Sequence, residues 1–266
     1  MRITVLNDNR IDCDELKCEH GLSLLIETSE SKILFDAGQS DIFLNNSKKL
    51  GESLNDIDAI VLSHGDYDHG NGLKYLNIDT RVNLYVHPDA FNYRVSKRSG
   101  NYGGLNQTKE ELLEKYNVIC SKEFTKISDD VYFLGEIKKY NSFEVGGLPM
   151  VDKDNKEYKH SDDSGIVIKT SKGLVVVSGC SHSGICNTVE YAKEMMKEDK
   201  VYAVVGGFHL KEDNERVRKT IDYFKENNVQ KVLLAHCTTD EVCDVFLKEM
   251  PRETVVLKTG TIIFYK

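Results

Sequence analysis

The chain has 266 residues, with 35 Lys+Arg against 43 Asp+Glu and a formal net charge of −8. Hydrophobic residues make up 40% and charged residues 29%, which excludes a disordered chain and supplies a sizeable core. The acidic balance argues against nucleic-acid or anionic-membrane binding, and no apolar run approaches the roughly 20 residues that span a bilayer.

From the N-terminus, Asn7 and Asp8 interrupt a short apolar stretch, so no signal peptide is expected and a cytoplasmic protein is the default. Short β-branched apolar runs predict strands over 2–6, 22–27, 32–36, 82–86, 131–134, 165–170, 254–258 and 261–265. Further runs each end in a histidine: Ala59 to His64, Leu174 to His182, Val201 to His209 and Val232 to His236. Their lack of polar alternation predicts strands buried on both faces. Helical spacing places Val189, Ala192 and Met196 on one stripe of 187–197, and Val217, Ile221 and Phe224 on one stripe of 213–227. A third helix, 239–250, opens with a capping-type Thr-Thr-Asp-Glu, and a short one is expected at Leu73–Leu76. Strands alternating with helices indicate a layered α/β fold, read as one domain over 1–266. Segments 87–117 and 138–164 fit neither period; the second carries Gly146-Gly147 and a charged run from Asp152 to His160. Both are lid or substrate-loop candidates, with flexible insertion as the alternative. The cysteines, at 13, 18, 120, 180, 186, 237 and 243, are odd in number and lack a C-x-x-C pair. Reduced thiols, buried or near a metal, are expected.

The segment Ser63-His64-Gly65-Asp66-Tyr67-Asp68-His69-Gly70-Asn71-Gly72 concentrates four ligand-type side chains directly after a strand. In extended backbone, alternate side chains share a side, so His64, Asp66 and Asp68 can converge. Imidazole and carboxylate are the ligands of catalytic Zn²⁺, Fe²⁺ and Mn²⁺ sites. Two buried carboxylates without a cation would repel each other at a cost of several kcal/mol.

These residues resemble the metallo-β-lactamase superfamily motif H-x-H-x-D-H. The resemblance extends to Ile33–Gly38, with its D-x-G ending, and to Val82–His87. Gly179–His182 (G-C-S-H), Gly206–Leu210 (G-G-F-H-L) and Ala235–Thr238 (A-H-C-T) resemble the dihydropterin–ribofuranosylaminobenzene-phosphate synthase subgroup. The resemblance implies an αββα sandwich of two mixed β-sheets with a dinuclear metal site at the sheet edge. It puts His64, Asp66 and a later histidine on the first metal, and Asp68, His69 and His236 on the second. His182 is the chosen later ligand; His160 is the competitor, but its charged segment reads as surface or lid.

Two departures stand out. Asp66 replaces the second motif histidine, which makes one position harder and more anionic and favours Fe²⁺ or Mn²⁺ over Zn²⁺. Gly179-Cys180 stands where many members have a bridging Asp: either Cys180 supplies a thiolate, or His182 takes over, or the site is reorganised.

Among the other histidines, His20 reads as a loop residue and His87 as a turn residue or partner of a ligand. His209 is read as a rim imidazole that donates a hydrogen bond or proton to substrate, with a core role as the alternative. Its paired glycines suggest close backbone approach. Arg94, Lys97 and Arg98, with Tyr93 and Tyr102, read as a solvated helix face; folded over the metals, they would bind a phosphate or carboxylate. The expected function is a hydrolase whose two divalent ions, Zn or Fe with Mn as a further option, activate water against an ester, lactone, phosphoester or amide. Asp68 would ligate one metal and orient the water. A synthase-type reaction on a phosphorylated or pterin-like substrate, and an iron-binding redox or metal-binding protein, are the alternatives. The expected partner is a small molecule, with an anionic one as an option.

Overall fold

The central apolar runs are buried on two sides at once, and that requirement dictates the layering. A computed structural model describes residues 1–144 and 149–265. The chain forms β1 (Arg2–Asn7), β2 (Ser23–Glu27), β3 (Lys32–Phe35), α1 (Ile42–Lys49), β4 (Ala59–Val61), the single-turn α2 (Tyr67–Gly70) and β5 (Asn83–Val86). Next come β6 (Val95–Ser96), α3 (Lys109–Lys115), β7 (Asn117–Cys120), β8 (Thr125–Lys126), β9 (Val131–Phe133) and β10 (Met150–Val151). It continues through β11 (Gly165–Thr170), β12 (Gly173–Ser178), α4 (Ile185–Met196), β13 (Val201–Gly206) and α5 (Glu215–Glu226). The last elements are β14 (Lys231–Leu234), α6 (Asp240–Glu249), β15 (Thr254–Val256) and β16 (Ile262–Phe264).

Two mixed sheets result, in the orders β16-β1-β2-β3-β4-β5-β7 and β15-β14-β13-β12-β11-β9-β8. Period-two alternation splits every central strand between two cores. Ile33, Phe35, Val175 and Val177 enter the core between the sheets. Leu34 faces the opposite way, toward Phe43 of α1 and Tyr116. Val176 and Val204 face Val189 of α4, Phe224 of α5 and Phe246 of α6. Helices therefore cover both outer faces, and the architecture is the expected αββα sandwich. Of the predicted helical stripes, Val189 and Ala192 on α4 and Val217, Ile221 and Phe224 on α5 are buried, while Met196 at the end of α4 is only partly buried.

Several sequence expectations are corrected. The Leu73–Leu76 helix is a 3₁₀ turn over Asn71–Lys74. Thr239 precedes α6 but caps nothing with its side chain; its hydroxyl donates to the Lys211 carbonyl at 2.9 Å instead. Segment 87–117 contains α3, whose Thr108–Glu111 capping box was overlooked. The two irregular segments are also not independent insertions. β6 pairs antiparallel with β10, Ser96 opposite Met150, so the candidate lids brace each other. The Gly146-Gly147 pair lies outside the described residues. Among those described, no helix is long and apolar enough to cross a membrane.

Parallel register brings the ends of β12, β13 and β14 level, with Ser178 opposite Gly206 and Gly206 opposite Leu234. The other sheet meets them at the end of β4, where Ser164 N–H donates to the Ser63 carbonyl at 2.9 Å. A Cβ on Gly179 would lie 2.0 Å from Ser63 Oγ, so only glycine permits this approach. Gly206 is doubly constrained: its φ is +129°, and a Cβ would lie 1.9 Å from the Ser178 carbonyl oxygen. Gly206→Ala should therefore cost at least about 2 kcal/mol in urea denaturation. Gly51→Ala, at φ +75° with open space around it, should cost only about 1 kcal/mol. Equal losses in the two variants would contradict this account of the strand ends.

Candidate metal centre

The chain leaves β4 through Ser63 and His64, both fully buried. Ser63 Oγ donates to Asp36 Oδ2 at 2.7 Å and lies 2.9 Å from His64 Nδ1. With Nδ1 engaged there, His64 Nε2 stands 3.5 Å from Asp66 Oδ2. That same carboxylate oxygen is 3.7 Å from His182 Nε2 and 3.8 Å from His160 Nε2. The His160 and His182 rings stack with centroids 4.0 Å apart. The other oxygen of Asp66 accepts a hydrogen bond from Arg94 Nη1 at 2.8 Å.

A second cluster gathers around Asp68 Oδ2. It lies 3.1 Å from His20 Nε2, 3.3 Å from His236 Nε2 and 3.8 Å from His69 Nε2. His69 Nε2 is also 3.2 Å from His236 Nε2 and 3.3 Å from Cys180 Sγ. Its Nδ1 is held by Asp36 Oδ2 at 2.7 Å. His236 is fixed twice: Nδ1 lies 2.9 Å from Asn9 Oδ1, and its backbone N–H donates to Asp8 Oδ2 at 2.6 Å. The two clusters adjoin, with the His64 and His69 ring centroids 4.2 Å apart.

Electrostatics sharpen the picture. Burial opposes charging of His64, yet Asp66 beside it lifts its pKa to about 10. Burial pushes His182 down to about 4; burial and the facing His182 push His160 to about 3. Both rings are therefore neutral, with a lone pair to offer. Burial works against ionising Asp66 and Asp68, but His64 and His69 respectively lead in holding them well below the usual carboxylate range.

These residues fit a divalent cation. His64 Nε2 and both ring nitrogens of His160 and of His182 are buried without a hydrogen-bond partner. Each such atom costs about 1–3 kcal/mol unless something satisfies it. Donors about 2.0–2.1 Å from a tetrahedral ion stand about 3.3–3.4 Å apart, close to the spacings around Asp66 and Asp68. A cation would satisfy the imidazoles and offset the carboxylates together.

His64, Asp66, Asp68, His69, His182 and His236 thus come together, and two residues need correction. His160 is no surface residue: it is 2% exposed, at φ +47°, against His182. Arg94 sits on no solvated helix face; it is fully buried, while Lys97 and Arg98 remain exposed. His209 borders the cleft, its ring centroid 4.7 Å from that of His182. The glycines before it approach protein rather than ligand, since a Cβ on Gly207 would lie 2.5 Å from Cys237 Sγ. His87 is a buried turn residue whose Nδ1 accepts from Asp89 N–H at 3.1 Å. His20, read as a loop residue, does reach the second cluster. The positioning roles of Asp36, Asp8 and Asn9 went unread, although the D-x-G motif marked Asp36. The clusters open onto a cavity of about 550 Å³, lined by Asp66, Asp68, His182 and His236 and further by Tyr67, Ser96, Tyr102, Met150 and Lys211.

Known proteins resemble this chain in sequence and in fold. Residues 16–194 match the family described as the metallo-beta-lactamase superfamily. A curated relative is 7,8-dihydropterin-6-methyl-4-(beta-D-ribofuranosyl)-aminobenzene-5'-phosphate synthase of Methanocaldococcus jannaschii. It is 34% identical over 92% of this chain and 90% of its own length. An uncharacterized protein of the same organism is 37% identical over 83% of this chain and 84% of its own. The crystal structure of Tm1679, a metal-dependent hydrolase of the beta-lactamase superfamily, superposes with a TM-score of 0.87. The two are 30% identical, and the match covers 100% of this chain and 99% of that one. On the sequence match, the fold and the clustered ligands together, the chain belongs to the metallo-β-lactamase superfamily.

Proposed function

We propose that this protein is a dinuclear metal-dependent hydrolase acting on a small molecule that carries an ester, lactone, phosphoester or amide bond. The observation that carries the reading is the pair of adjoining clusters that border one open cleft. His64, Asp66 and His182 would hold the first ion, with His160 beside them; Asp68, His69 and His236 would hold the second, with Cys180 in reach. Imidazoles suit zinc, while a carboxylate free at both oxygens would suit iron or manganese. When bound, two such ions bring a water's pKa near neutrality and polarise the scissile bond.

The chain's own residues supply the rest. Asp68 orients the attacking oxygen from the floor of the cleft. His209, on the cleft rim and 9% exposed, donates a proton to the substrate oxygen. Lys211 is the Lys or Arg side chain lining the cavity among the described residues, and it fixes an anionic group of the substrate. The synthase relative favours a second reading, in which the same machinery acts in a synthase-type reaction on a phosphorylated, pterin-like substrate. Assaying hydrolysis and condensation side by side separates the two.

About two ions per chain are expected by elemental analysis, and the double variant His64→Ala/His69→Ala should be empty. Full occupancy in that variant would sink the assignment. His209→Ala should keep its metals and melting temperature while turnover drops about 10²–10³-fold; loss of metal would instead make His209 a ligand. Protons provide an independent check. Because His64 without metal stays protonated up to about pH 10, loading at pH 8 should release a proton from it, and affinity should rise with pH toward 10. Potentiometry should find this release diminished in His64→Gln.

A further inference from the structure

Arg94 is an unusual side chain to find at 0% exposure. Burying a guanidinium costs several kcal/mol unless it is closely paired and its donors are satisfied. Here the pairing is complete. Nη1 donates to Asp66 Oδ1 at 2.8 Å, and Nη2 donates to Asp162 Oδ2 at 2.9 Å and to the Ala90 carbonyl at 3.1 Å. Its carbon Cζ lies 4.3 Å from the centroid of the Tyr158 ring, whose hydroxyl donates to the other Asp162 oxygen at 2.9 Å. Asp162 is pinned again by the Gly65 N–H at 2.8 Å, inside the ligand motif itself. The arginine comes from one candidate lid, 87–117, and Tyr158 and Asp162 come from the other.

We infer that Arg94 is a positioning residue that makes Asp66 a single-oxygen donor, so that the Asp66–Arg94 pair does the work of the imidazole in the common H-x-H-x-D-H pattern. The guanidinium takes Oδ1, and only Oδ2 faces the imidazoles of His64, His160 and His182. A carboxylate free at both oxygens could chelate an ion and raise its coordination number, as manganese accepts readily. One free oxygen, with charge partly offset by Arg94, presents what an imidazole presents: one donor in a four-coordinate setting that zinc favours. A planar fork that spans two carboxylates is needed, and the point charge of lysine cannot replace it. The reading rests on an ion at the first cluster, as proposed above.

The test is competition between Zn²⁺ and Mn²⁺ on the metal-free full-length protein. The zinc-over-manganese preference should fall about tenfold or more in Arg94→Met, the scale seen when partners of metal ligands are removed. Arg94→Met/Asp162→Asn removes one positive and one negative charge together and should show the same fall, which covers the case that Arg94→Met alone does not fold. Arg94→Lys should show it too. In an Asp66→His background, Arg94→Met/Asp162→Asn should leave the preference unchanged, because the oxygen that Arg94 restrains is gone. An unaltered ratio in Arg94→Met/Asp162→Asn, full rescue by lysine, or an equal fall in the Asp66→His background would each overturn the role of Arg94. Failure of the unsubstituted protein to bind either ion would overturn the metal reading itself, a distinguishable result.

Discussion

The carboxylate of Asp36 is the point on which the site turns. It leaves β3 at φ +56°, a left-handed conformation that is uncommon outside glycine. From there it accepts the Ser63 N–H at 2.8 Å, the Ser63 hydroxyl at 2.7 Å and contacts His69 Nδ1 at 2.7 Å. One buried side chain therefore orients His69 directly and His64 through Ser63. The opposite sheet closes over it: a Cβ on Gly179 would lie 3.0 Å from Asp36 Oδ2. Ligand placement in both clusters is thus fixed by sheet packing, not by the loops alone.

The sandwich was readable in the sequence because buried strands leave a strong trace. Runs such as Leu174–Val177 face two cores, so they are apolar without interruption. Periodicity likewise marked the stripes of α4 and α5, whose outer faces are wet. Short elements left weaker traces. α1 (Ile42–Lys49) carries polar Asn46 and Ser47 among its buried positions, which blurs its apolar face. The capping box before α3 was present but sat inside a stretch without strong hydrophobic spacing.

The histidine–aspartate motif was legible because His64, Asp66, Asp68 and His69 lie within six residues of chain. His160 and Arg94 depart from their sequence pattern for a common reason. Charged and polar neighbours usually signal solvent, yet here they serve one another inside the protein. Lys159 and Ser161 flank His160, and only tertiary structure shows that His160 turns in toward His182. The partner of Arg94, Asp162, is 68 residues away, a separation at which no sequence period exists. Buried ion pairs of this kind are long-range facts, settled only when both lids pack against the sheet edge.

Much of the backbone strain lies at the two side-chain clusters. His160, Ser181, His209 and His236 all have φ between +47° and +55°, each next to or within a cluster. Residues held in this region cost about 1–3 kcal/mol apiece and persist only when surrounding structure over-determines them. The surrounding structure here is the level ends of β12, β13 and β14, together with the hydrogen bonds that Asp8 and Thr238 accept and that Asn9 donates to the His236 carbonyl. Phe208 N–H, for example, donates to Thr238 Oγ1 at 3.0 Å, tying the His209 loop to the His236 loop. Such a frame sets the imidazoles before any ligand arrives, so binding energy is not spent on ordering them. The strand-end loops hold the donors, and the β6–β10 pair, with Ser96 and Met150 on the cavity, forms a separate wall. On the proposed reading, a small molecule entering beside Tyr102 and Lys211 would meet donors already in place, and selectivity would fall to the wall and the lysine instead of the metal-binding side chains.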